Sequence, residues 1–435
     1  MDPLFAGYVG IAIMSLLIAL GMRIAFATAL VGILGIGSLK GWGVAFNVAG
    51  YLPHGIIAHY SLSVIPLFII MGYFAYFAGL TGDAFYTARQ WFGHLPGGLA
   101  IATTYGCAGF GACTGSSPAT AAVMGKMAIP EMEKYGYSQR LASGAVAAGG
   151  TLAILIPPSV PLVVYGLITD QSVGVLLIAG LLPGILTAFM YALMIQIRVK
   201  LNPSLALPLP RASWKAKIAS MRYTWGILVI VILILTGIYT GVFTPTEAGG
   251  AGATATFLMA LFLKRLSWDK LKQAALETGR ATVMVFSIIV GVLIFVRFLA
   301  FTGLPQAFGR AVLAMPTPPI VILLGILAIF VFLGMFLEIM GMMLLALPVI
   351  FPAVIALGFD PIWFGIIVVK MGEICLITPP VGLNVYVVNS VAPDIPIHEI
   401  FMGIIPFLIM DFVTLALLII FPQITLFLPS LMFAG

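Results

Sequence analysis

Charged side chains are scarce in this sequence. Of its 435 residues, 20 are Lys or Arg and 14 are Asp or Glu, so 8% are charged while 62% are hydrophobic. A water-soluble domain carries about 25% charged residues, and this chain has too few to cover a surface that faces water. The composition therefore excludes a soluble globular protein and predicts a chain that folds in lipid.

Motifs for catalysis and nucleotide binding are also missing. The four histidines are scattered, and the three cysteines lack the spacing of a metal site. A phosphate-binding loop has the form GxxxxGK[ST], but here Gly125-Lys126 is followed by Met127, and Gly115 lies too far upstream. The sequence therefore predicts no enzyme and no ATP-driven pump, so any transport must draw on an ion gradient or on another chain.

Long apolar runs are abundant. About 20 consecutive apolar residues can cross a bilayer as a helix. Six runs are long enough: Phe5–Gly21, Leu62–Leu80, Val173–Ile195, Trp225–Val242, Thr282–Leu304 and Ile404–Phe421. They predict an all-α polytopic membrane protein.

Basic residues gather in the loops beside these runs. The stretch Arg198–Arg222 contains Lys and Arg but no acidic residue, and a second basic loop lies at 264–280. Positive loops stay on the cytoplasmic side of a membrane, so we expect the loop at 197–222 to be cytoplasmic. Counting crossings outward from this loop places both termini in the periplasm.

The sequence contains an internal repeat. Three markers recur at an offset of 222, with 372 − 150, 379 − 157 and 352 − 130 all giving that value: Gly150 with Gly372, Pro157 with Pro379, and Pro130 with Pro352. This spacing predicts two halves, 1–196 and 223–435, joined by the linker 197–222. Each half has an odd number of predicted crossings, which makes the repeats inverted, as in many secondary transporters.

Each half contains a segment too polar to face lipid. Tyr105–Met127 is rich in Gly, Ser and Thr and predicts a re-entrant helical hairpin over about 97–130 that turns near Gly115–Pro118. Its counterpart is predicted over about 318–352, with Glu338 near the turn. Small residues can also serve only close helix packing, and this ordinary interpretation stays open for each hairpin alone.

Each half also contains a double proline within an apolar run. Proline removes a backbone donor and clashes with the preceding turn, so Pro157-Pro158 and Pro379-Pro380 predict broken helices over about 142–166 and 362–388. The freed carbonyls suit a hard cation, and the helix N-termini suit a carboxylate. The alternative is a kink that serves packing alone.

Ionisable residues within or beside apolar runs are candidates for function because charge is costly in a membrane. Six residues fall in this group: Lys126, Arg297, Glu338, Lys370, Glu373 and Asp411. Glu373 and Lys370 have the i, i+3 spacing of a structural ion pair, whereas Glu338 at a hairpin turn is the better site candidate. Glu247, in Thr244-Pro245-Thr246-Glu247, has the pattern of a helix cap.

Several of these motifs resemble the large membrane subunit of TRAP (tripartite ATP-independent periplasmic) transporters. The resemblance covers essentially the whole chain and is carried by residues 114–120 (TGSSPAT), 124–126 (MGK), 129–132 (IPEM), 149–152 (GGTL), 154–159 (ILIPPS) and 378–382 (TPPVG), with Asn384. Thr114 stands where this family often has Ser, which preserves the hydroxyl group.

The resemblance implies a bacterial inner-membrane importer of small organic acids, such as C4-dicarboxylates or sialic acid, that uses sodium and neither ATP nor an organic cofactor. It implies two partners, a small four-helix membrane subunit and a periplasmic substrate-binding protein, and an elevator-type movement. The implied sodium ligands are Ser116, Ser117, Gly150, Ile156 and Pro157 in a first site, and Gly341, Gly372, Thr378 and Pro379, beside Glu338, in a second. The implied substrate-binding residues are Thr114, Pro118, Thr120, Ser159, Glu338 and Asn384.

Three other functions remain as alternatives. A stand-alone symporter of divalent anions and sodium would share the hairpins and repeats but need no binding protein. A channel would conduct without saturating, and an intramembrane enzyme would need catalytic residues that the sequence lacks.

Overall fold

The computed structural model describes residues 2–432. Within this range the chain forms twenty α-helices and no β-strand. Six of the described helical segments are long and apolar enough to cross a membrane, and five of these coincide with predicted runs. The sixth predicted run, Phe5–Gly21, forms a 17-residue apolar helix. The all-α membrane fold is therefore confirmed.

Five helices precede the first hairpin. They are α1 (Pro3–Ala19), α2 (Ile24–Lys40), α3 (Trp42–Ile57), α4 (Val64–Phe77) and α5 (Leu80–Phe92). A 3-10 turn at Tyr60–Ser63 leads directly into α4, so the two together form one span. The chain turns from α4 into α5 at Gly79, whose φ of 73° is a conformation that glycine adopts without strain.

The first predicted hairpin, hairpin 1, consists of α6 (Gly98–Thr114) and α7 (Ser117–Lys134). Its open ends lie together because the Leu99 amide donates a hydrogen bond to the Tyr137 hydroxyl at 3.1 Å. The Ser138 amide donates to the Leu205 carbonyl in the basic linker at 2.9 Å. Both arms therefore start and end on the linker side of the molecule. Helix α7 continues through Pro130 and ends at Lys134, four residues beyond the end predicted at about 130.

The first broken helix follows hairpin 1. It consists of α8 (Gln139–Thr151), a 3-10 turn at Leu152–Ile154, and α9 (Val160–Thr169), and α10 (Val173–Leu201) returns the chain to the linker. The interruption falls at the predicted double proline, whose peptide bond is cis.

The second half of the chain contains the remaining ten helices that the structure describes. They are α11 (Trp214–Tyr239), α12 (Pro245–Phe262), α13 (Trp268–Thr302), α14 (Leu304–Leu313), α15 (Pro319–Gly334), α16 (Ile339–Ala356), α17 (Pro361–Ile377), α18 (Leu383–Val391), α19 (Ile397–Ile420) and α20 (Gln423–Met432). The predicted cap at α12 is confirmed as a capping box between Thr244 and Glu247.

Helix order in the two halves is consistent with the predicted repeat. The second arms of the hairpins start 222 residues apart (339 − 117), and so do the broken helices (361 − 139). Hairpin 2, formed by α15 and α16, has its base at the end of the molecule opposite to the linker. There the Tyr165 hydroxyl, near the end of α9, donates to the Pro361 carbonyl at 2.7 Å. The two hairpins thus enter from opposite ends.

The helices form two packed groups. The central body contains the hairpins, the broken helices, α10 and α19, and the frame contains α2, α4, α11, α12 and α13. Within the central body, α8 and α19 meet backbone to backbone. A Cβ on Gly144 would lie 2.4 Å from the Gly403 carbonyl oxygen, and a Cβ on Gly403 would lie 2.2 Å from the Arg140 carbonyl oxygen. Only glycine fits at this crossing.

Candidate functional site

The tip of hairpin 1 is a two-residue turn. Gly115 has a left-handed backbone with φ of 59°, and its amide donates to the Gly111 carbonyl at 2.9 Å, which ends α6. Ser116 is extended, and α7 begins immediately with Ser117-Pro118. Proline suits a first helical turn because the amide it lacks has no partner there. The predicted turn at Gly115–Pro118 is therefore confirmed.

The tip of hairpin 2 is longer and less polar. α15 ends at Gly334 and α16 begins at Ile339, with Glu338 in the extended N-cap position. The Glu338 side chain makes no capping hydrogen bond and is half-buried. Its carboxylate is therefore available to the space between the two tips.

A cavity of about 260 Å³ lies between the hairpin tips, and we call it the tip cavity. The first tip contributes residues 114–119, the second contributes 338–340, and the frame contributes Tyr73 and Tyr76 from α4 and residues 281, 284 and 285 from α13. Ile154, Val160 and Leu376 bring the interrupted parts of both broken helices to its wall. Both hairpins, both broken helices and the frame therefore contribute to the wall of the tip cavity.

Electrostatics in the tip cavity come from helix ends and one acid. The N-termini of α7 and α16 both reach it, and helix N-termini carry partial positive charge that favours anions. Among the described lining residues, Glu338 is the only acidic side chain and none is Lys, Arg or His. A cation could therefore bind to the carboxylate and hydroxyl groups of the cavity, and an anion could bind to the helix N-termini.

The two helix breaks are built differently. At the first, the Ser159 hydroxyl accepts from the Leu162 amide at 3.3 Å and donates to the Ile154 carbonyl, so this residue caps α9. At the second, the Thr378 hydroxyl donates to the Ile374 carbonyl at 2.6 Å, and Gly382, with φ of 54°, precedes α18. At each break, one backbone carbonyl group, that of Ile154 or Ile374, therefore accepts a hydrogen bond from a side chain of the same broken helix.

Asn384 connects three of the irregular segments. Its Nδ2 donates to the Ser117 hydroxyl and to the Ala147 carbonyl, each at 2.8 Å, and its side chain is fully buried. Its Oδ1 has no hydrogen-bond partner among the described residues. One amide thus holds hairpin 1, α8 and α18 in a fixed arrangement and leaves one buried acceptor free.

The structure brings some of the predicted site residues together and leaves others apart. Those that line the tip cavity are Thr114, Ser116, Ser117, Pro118 and Glu338. The Thr120 hydroxyl lies 3.0 Å from that of Thr114, just behind the wall. Those outside the lining are Gly150, Ile156, Pro157, Ser159, Gly341, Gly372, Thr378, Pro379 and Asn384. Their roles stay predictions.

Several lining residues did not emerge from the sequence. Tyr73 and Tyr76 of α4 and residues 281, 284 and 285 of α13 face the cavity from the frame. The i, i+3 spacing of the two tyrosines within an apolar run was the available signal, because it places both hydroxyls on one helix face.

The ionisable residues that the sequence places within or beside apolar runs differ in their burial. Lys126 and Arg297 are exposed, whereas Lys370, Glu373 and Asp411 are completely buried. Exposure of the first two follows from helix faces that no neighbour covers. Lys370 and Glu373 do form the expected pair, at 2.6 Å, but Asp411 binds the same ammonium group at 2.6 Å.

A second cavity, of about 580 Å³, lies toward the other end of the frame, and we call it the far cavity. Its lining includes residues 59–62 before α4, 170–174 between α9 and α10, and 244–246 at the start of α12. The tip cavity meets α4 near its C-terminal end instead, on the side where Arg265 donates to the Ala78 carbonyl at 2.9 Å. The two cavities thus open toward opposite ends of the frame.

Comparison with known families gives a match over nearly the whole chain. Residues 11–424 match the family model described as the tripartite ATP-independent periplasmic transporter, DctM component. The C4-dicarboxylate TRAP transporter large permease protein DctM of Pseudomonas aeruginosa is 39% identical over 376 residues, covering 86% of this chain and 87% of that protein.

Two further relatives differ in the substrates that their names give. The sialic acid TRAP transporter large permease protein SiaM of Vibrio cholerae is 34% identical and covers 88% of this chain and 90% of its own. The ectoine TRAP transporter large permease protein TeaC of Halomonas elongata is 32% identical and covers 89% and 88%. The solved YdaH transporter of Alcanivorax borkumensis has a TM-score of 0.58 at 14% identity, covering 98% of this chain and all of that one, and shares the fold alone.

Proposed function

Because this chain belongs to the DctM-component family of tripartite ATP-independent periplasmic transporters, we propose that it is the large permease that imports a small organic acid with sodium. Relatives 32–39% identical over most of the chain are named large permeases of such systems. The observation that carries the proposal is the tip cavity, where two hairpin tips and two interrupted helices meet.

The proposed substrate is a carboxylate. The substrates named for the relatives, C4-dicarboxylates, sialic acid and ectoine, all contain a carboxylate group. The tip cavity has no basic side chain among its described lining residues, so an anion would rely on the N-termini of α7 and α16 and on a bound cation. Its volume of about 260 Å³ suits a small molecule.

Sodium is the proposed coupling ion. Hard cations prefer oxygen ligands, and the wall between the tips carries the Ser116 hydroxyl and the Glu338 carboxylate. A cation bound there would offset the negative charge of Glu338, which otherwise repels an anionic substrate. Sodium binding would thus prepare the cavity for the carboxylate, which is a direct physical basis for coupling.

The proposed partners are a small membrane subunit and a periplasmic binding protein. A tripartite system has three components by definition, and the matched family is one of them. The binding protein would deliver substrate on the periplasmic side, which the positive-inside rule assigns to the far-cavity end. The inner bacterial membrane, with both termini periplasmic, is the proposed location.

The proposed movement is an elevator displacement of the central body against the frame. The tip cavity lies at their boundary and, with the basic loops inside, on the cytoplasmic side. This corresponds to an inward-facing state. A displacement of the hairpins along the frame would carry the cavity toward the far-cavity end.

Uptake by proteoliposomes tests the proposal. The chain would be reconstituted with its small subunit, and uptake of radiolabelled succinate, sialic acid and ectoine would be measured with and without a sodium gradient and with and without the cognate binding protein. We expect uptake of one of these probes to require both the sodium gradient and the binding protein. Uptake that needs sodium but not the binding protein would instead identify a stand-alone symporter, and uptake without saturation would identify a channel.

A further inference from the structure

A buried charge network lies in the central body, outside the lining of the tip cavity. Lys370 and Glu373 of α17 and Asp411 of α19 have no solvent exposure. The Lys370 ammonium group donates to Glu373 Oε2 and Asp411 Oδ1, both at 2.6 Å, and to the Thr187 hydroxyl of α10 at 3.2 Å. The Tyr191 hydroxyl of α10 donates to Asp411 Oδ1 at 2.7 Å.

The charges in this network do not balance. Two carboxylates face one ammonium group, and Tyr191 is the only other titratable side chain bonded to them within residues 2–432. The helices α8, α9, α15, α16, α18 and α20 also pack against α17, but they contribute no acidic or basic partner to the network among the described residues. A buried ion without compensation costs several kcal/mol, so a buried group of this kind takes up a cation or becomes neutral.

The geometry favours a proton over a metal ion. The ammonium group already occupies the position between the two carboxylates where a metal would lie, and it would repel one. Only one oxygen of each carboxylate, Glu373 Oε1 and Asp411 Oδ2, lacks a partner among the described residues. Those residues also contain no group of three or more His, Cys, Asp or Glu side chains placed to hold a metal.

The two carboxylates are not equivalent. Asp411 Oδ1 accepts from both Lys370 and Tyr191, whereas Glu373 accepts only from Lys370. Hydrogen bonds donated to a carboxylate stabilise its charged form, so the charged form is more stable at Asp411 than at Glu373. We propose that Glu373 is a proton-binding site, and that its bound proton makes the buried network electrically neutral.

Infrared spectroscopy of the purified full-length chain in lipid nanodiscs tests this site. A protonated carboxyl has a carbonyl stretching band, separate from the carboxylate bands, that shifts in deuterium oxide. We expect this band at neutral pH in the wild type and its loss in Glu373→Gln, which has the shape of the protonated side chain. Glu277→Gln is the matched control, because Glu277 forms an exposed i, i+3 pair with Arg280. Glu338→Gln tests whether the half-buried Glu338 of the tip cavity contributes to the band.

The same samples give a second measurement, the pH dependence of thermal stability. If Glu373 bound no proton, this dependence would be the same in Glu373→Gln as in the wild type. A proton held in the fold and absent from the unfolded chain stabilises the protein at low pH, and this stabilisation disappears as Glu373 releases the proton at higher pH. We expect the thermal midpoint of the wild type to fall over that alkaline range, and the midpoint of Glu373→Gln to lose this dependence. Glu277→Gln should behave as the wild type does.

Three results would overturn the proposal. The band could persist in Glu373→Gln, it could be absent from the wild type, or sodium could abolish it at constant pH, which would identify a metal-ion site. If Glu373→Gln does not fold, the Glu338→Gln variant, which keeps Glu373, is labelled with ¹³C-glutamate instead. A band that shifts with glutamate labelling supports the proposal, and one that shifts only with ¹³C-aspartate labelling contradicts it.

Discussion

Asn384 donates a hydrogen bond to the Ser117 hydroxyl at 2.8 Å across a sequence separation of 267 residues. It thereby fixes the first residue of α7, at the tip of hairpin 1, against α18 of the second broken helix. Since the two elements come from opposite halves of the chain, neither half alone can form the complete wall of the tip cavity.

Ser117→Ala should destabilise the protein. The substitution removes the acceptor of one Asn384 N–H while the amide stays buried, and an unsatisfied buried donor costs about 1–3 kcal/mol. Thermal unfolding in detergent would measure the loss as a lower midpoint. The matched control is Ser116→Ala, since the Ser116 side chain is half-buried and has no hydrogen bond among the described residues. Equal midpoints for the two variants would contradict this assignment.

Ser116→Ala should instead affect sodium. Its hydroxyl faces the tip cavity and is free to bind an ion, so we expect a higher sodium concentration at half-maximal uptake and little change in thermal stability. The measurement is uptake against sodium concentration in proteoliposomes with both partner proteins. Unchanged sodium dependence in Ser116→Ala and in the double variant with Ser117→Ala would remove these hydroxyls from the proposed sodium site.

Glu338→Gln should weaken sodium binding more than substrate binding. The substitution keeps the shape of the side chain but removes the only acidic charge among the described lining residues. We expect a higher half-saturating sodium concentration, and an unchanged or lower half-saturating substrate concentration once sodium is saturating. Glu133→Gln, at an exposed position near the end of α7 and outside the cavity lining, is the control. Loss of substrate affinity alone would instead assign Glu338 to the substrate.

Lys370→Met should be strongly destabilising. It leaves the buried Asp411 carboxylate without its ammonium partner, and removing one member of a buried ion pair costs about 3–5 kcal/mol. Arg140→Gln is the comparison, because Arg140 and Glu399 pair at the surface and solvent screens their charges. Denaturant or thermal unfolding of both variants would test this difference. A mild effect of Lys370→Met would mean that the network is already neutral without the ammonium group.

Cysteine labelling should report which way each cavity opens. Ala281→Cys lies in the lining of the tip cavity and Ser61→Cys in that of the far cavity, and the three native cysteines are buried. In intact cells a membrane-impermeant maleimide should label Ser61→Cys, while Ala281→Cys should react only with a permeant reagent. The reverse pattern would invert the proposed orientation.

Local sequence signals predicted the irregular elements well. Gly115 permits a left-handed backbone because it lacks a Cβ, and the two double prolines restrict the backbone through their rings, so the turn of hairpin 1 and both helix breaks fall where the sequence places them. The end of hairpin 1 was predicted less closely, since α7 continues through Pro130 to Lys134.

Contacts between distant elements could not be predicted in this way. Asp411 is 41 residues from Lys370, and Asn384 is 237 residues from Ala147, so no short spacing reveals either pair. The exposure of Lys126 likewise depends on which helix face a neighbour covers. The candidate site was therefore predicted as a list of segments, and its walls emerge only from the packing of α4 and α13 against them.

The glycine crossing of α8 and α19 has a consequence for how this protein can change over generations. Gly144 and Gly403 belong to opposite halves, and a methyl group on either one would meet the backbone of the other helix. A mutation at one position cannot be accommodated by changing a side chain at the other, because there is no side chain to remove. Both glycines must therefore be kept together during evolution. Neither half can be exchanged for a related half that lacks the matching glycine.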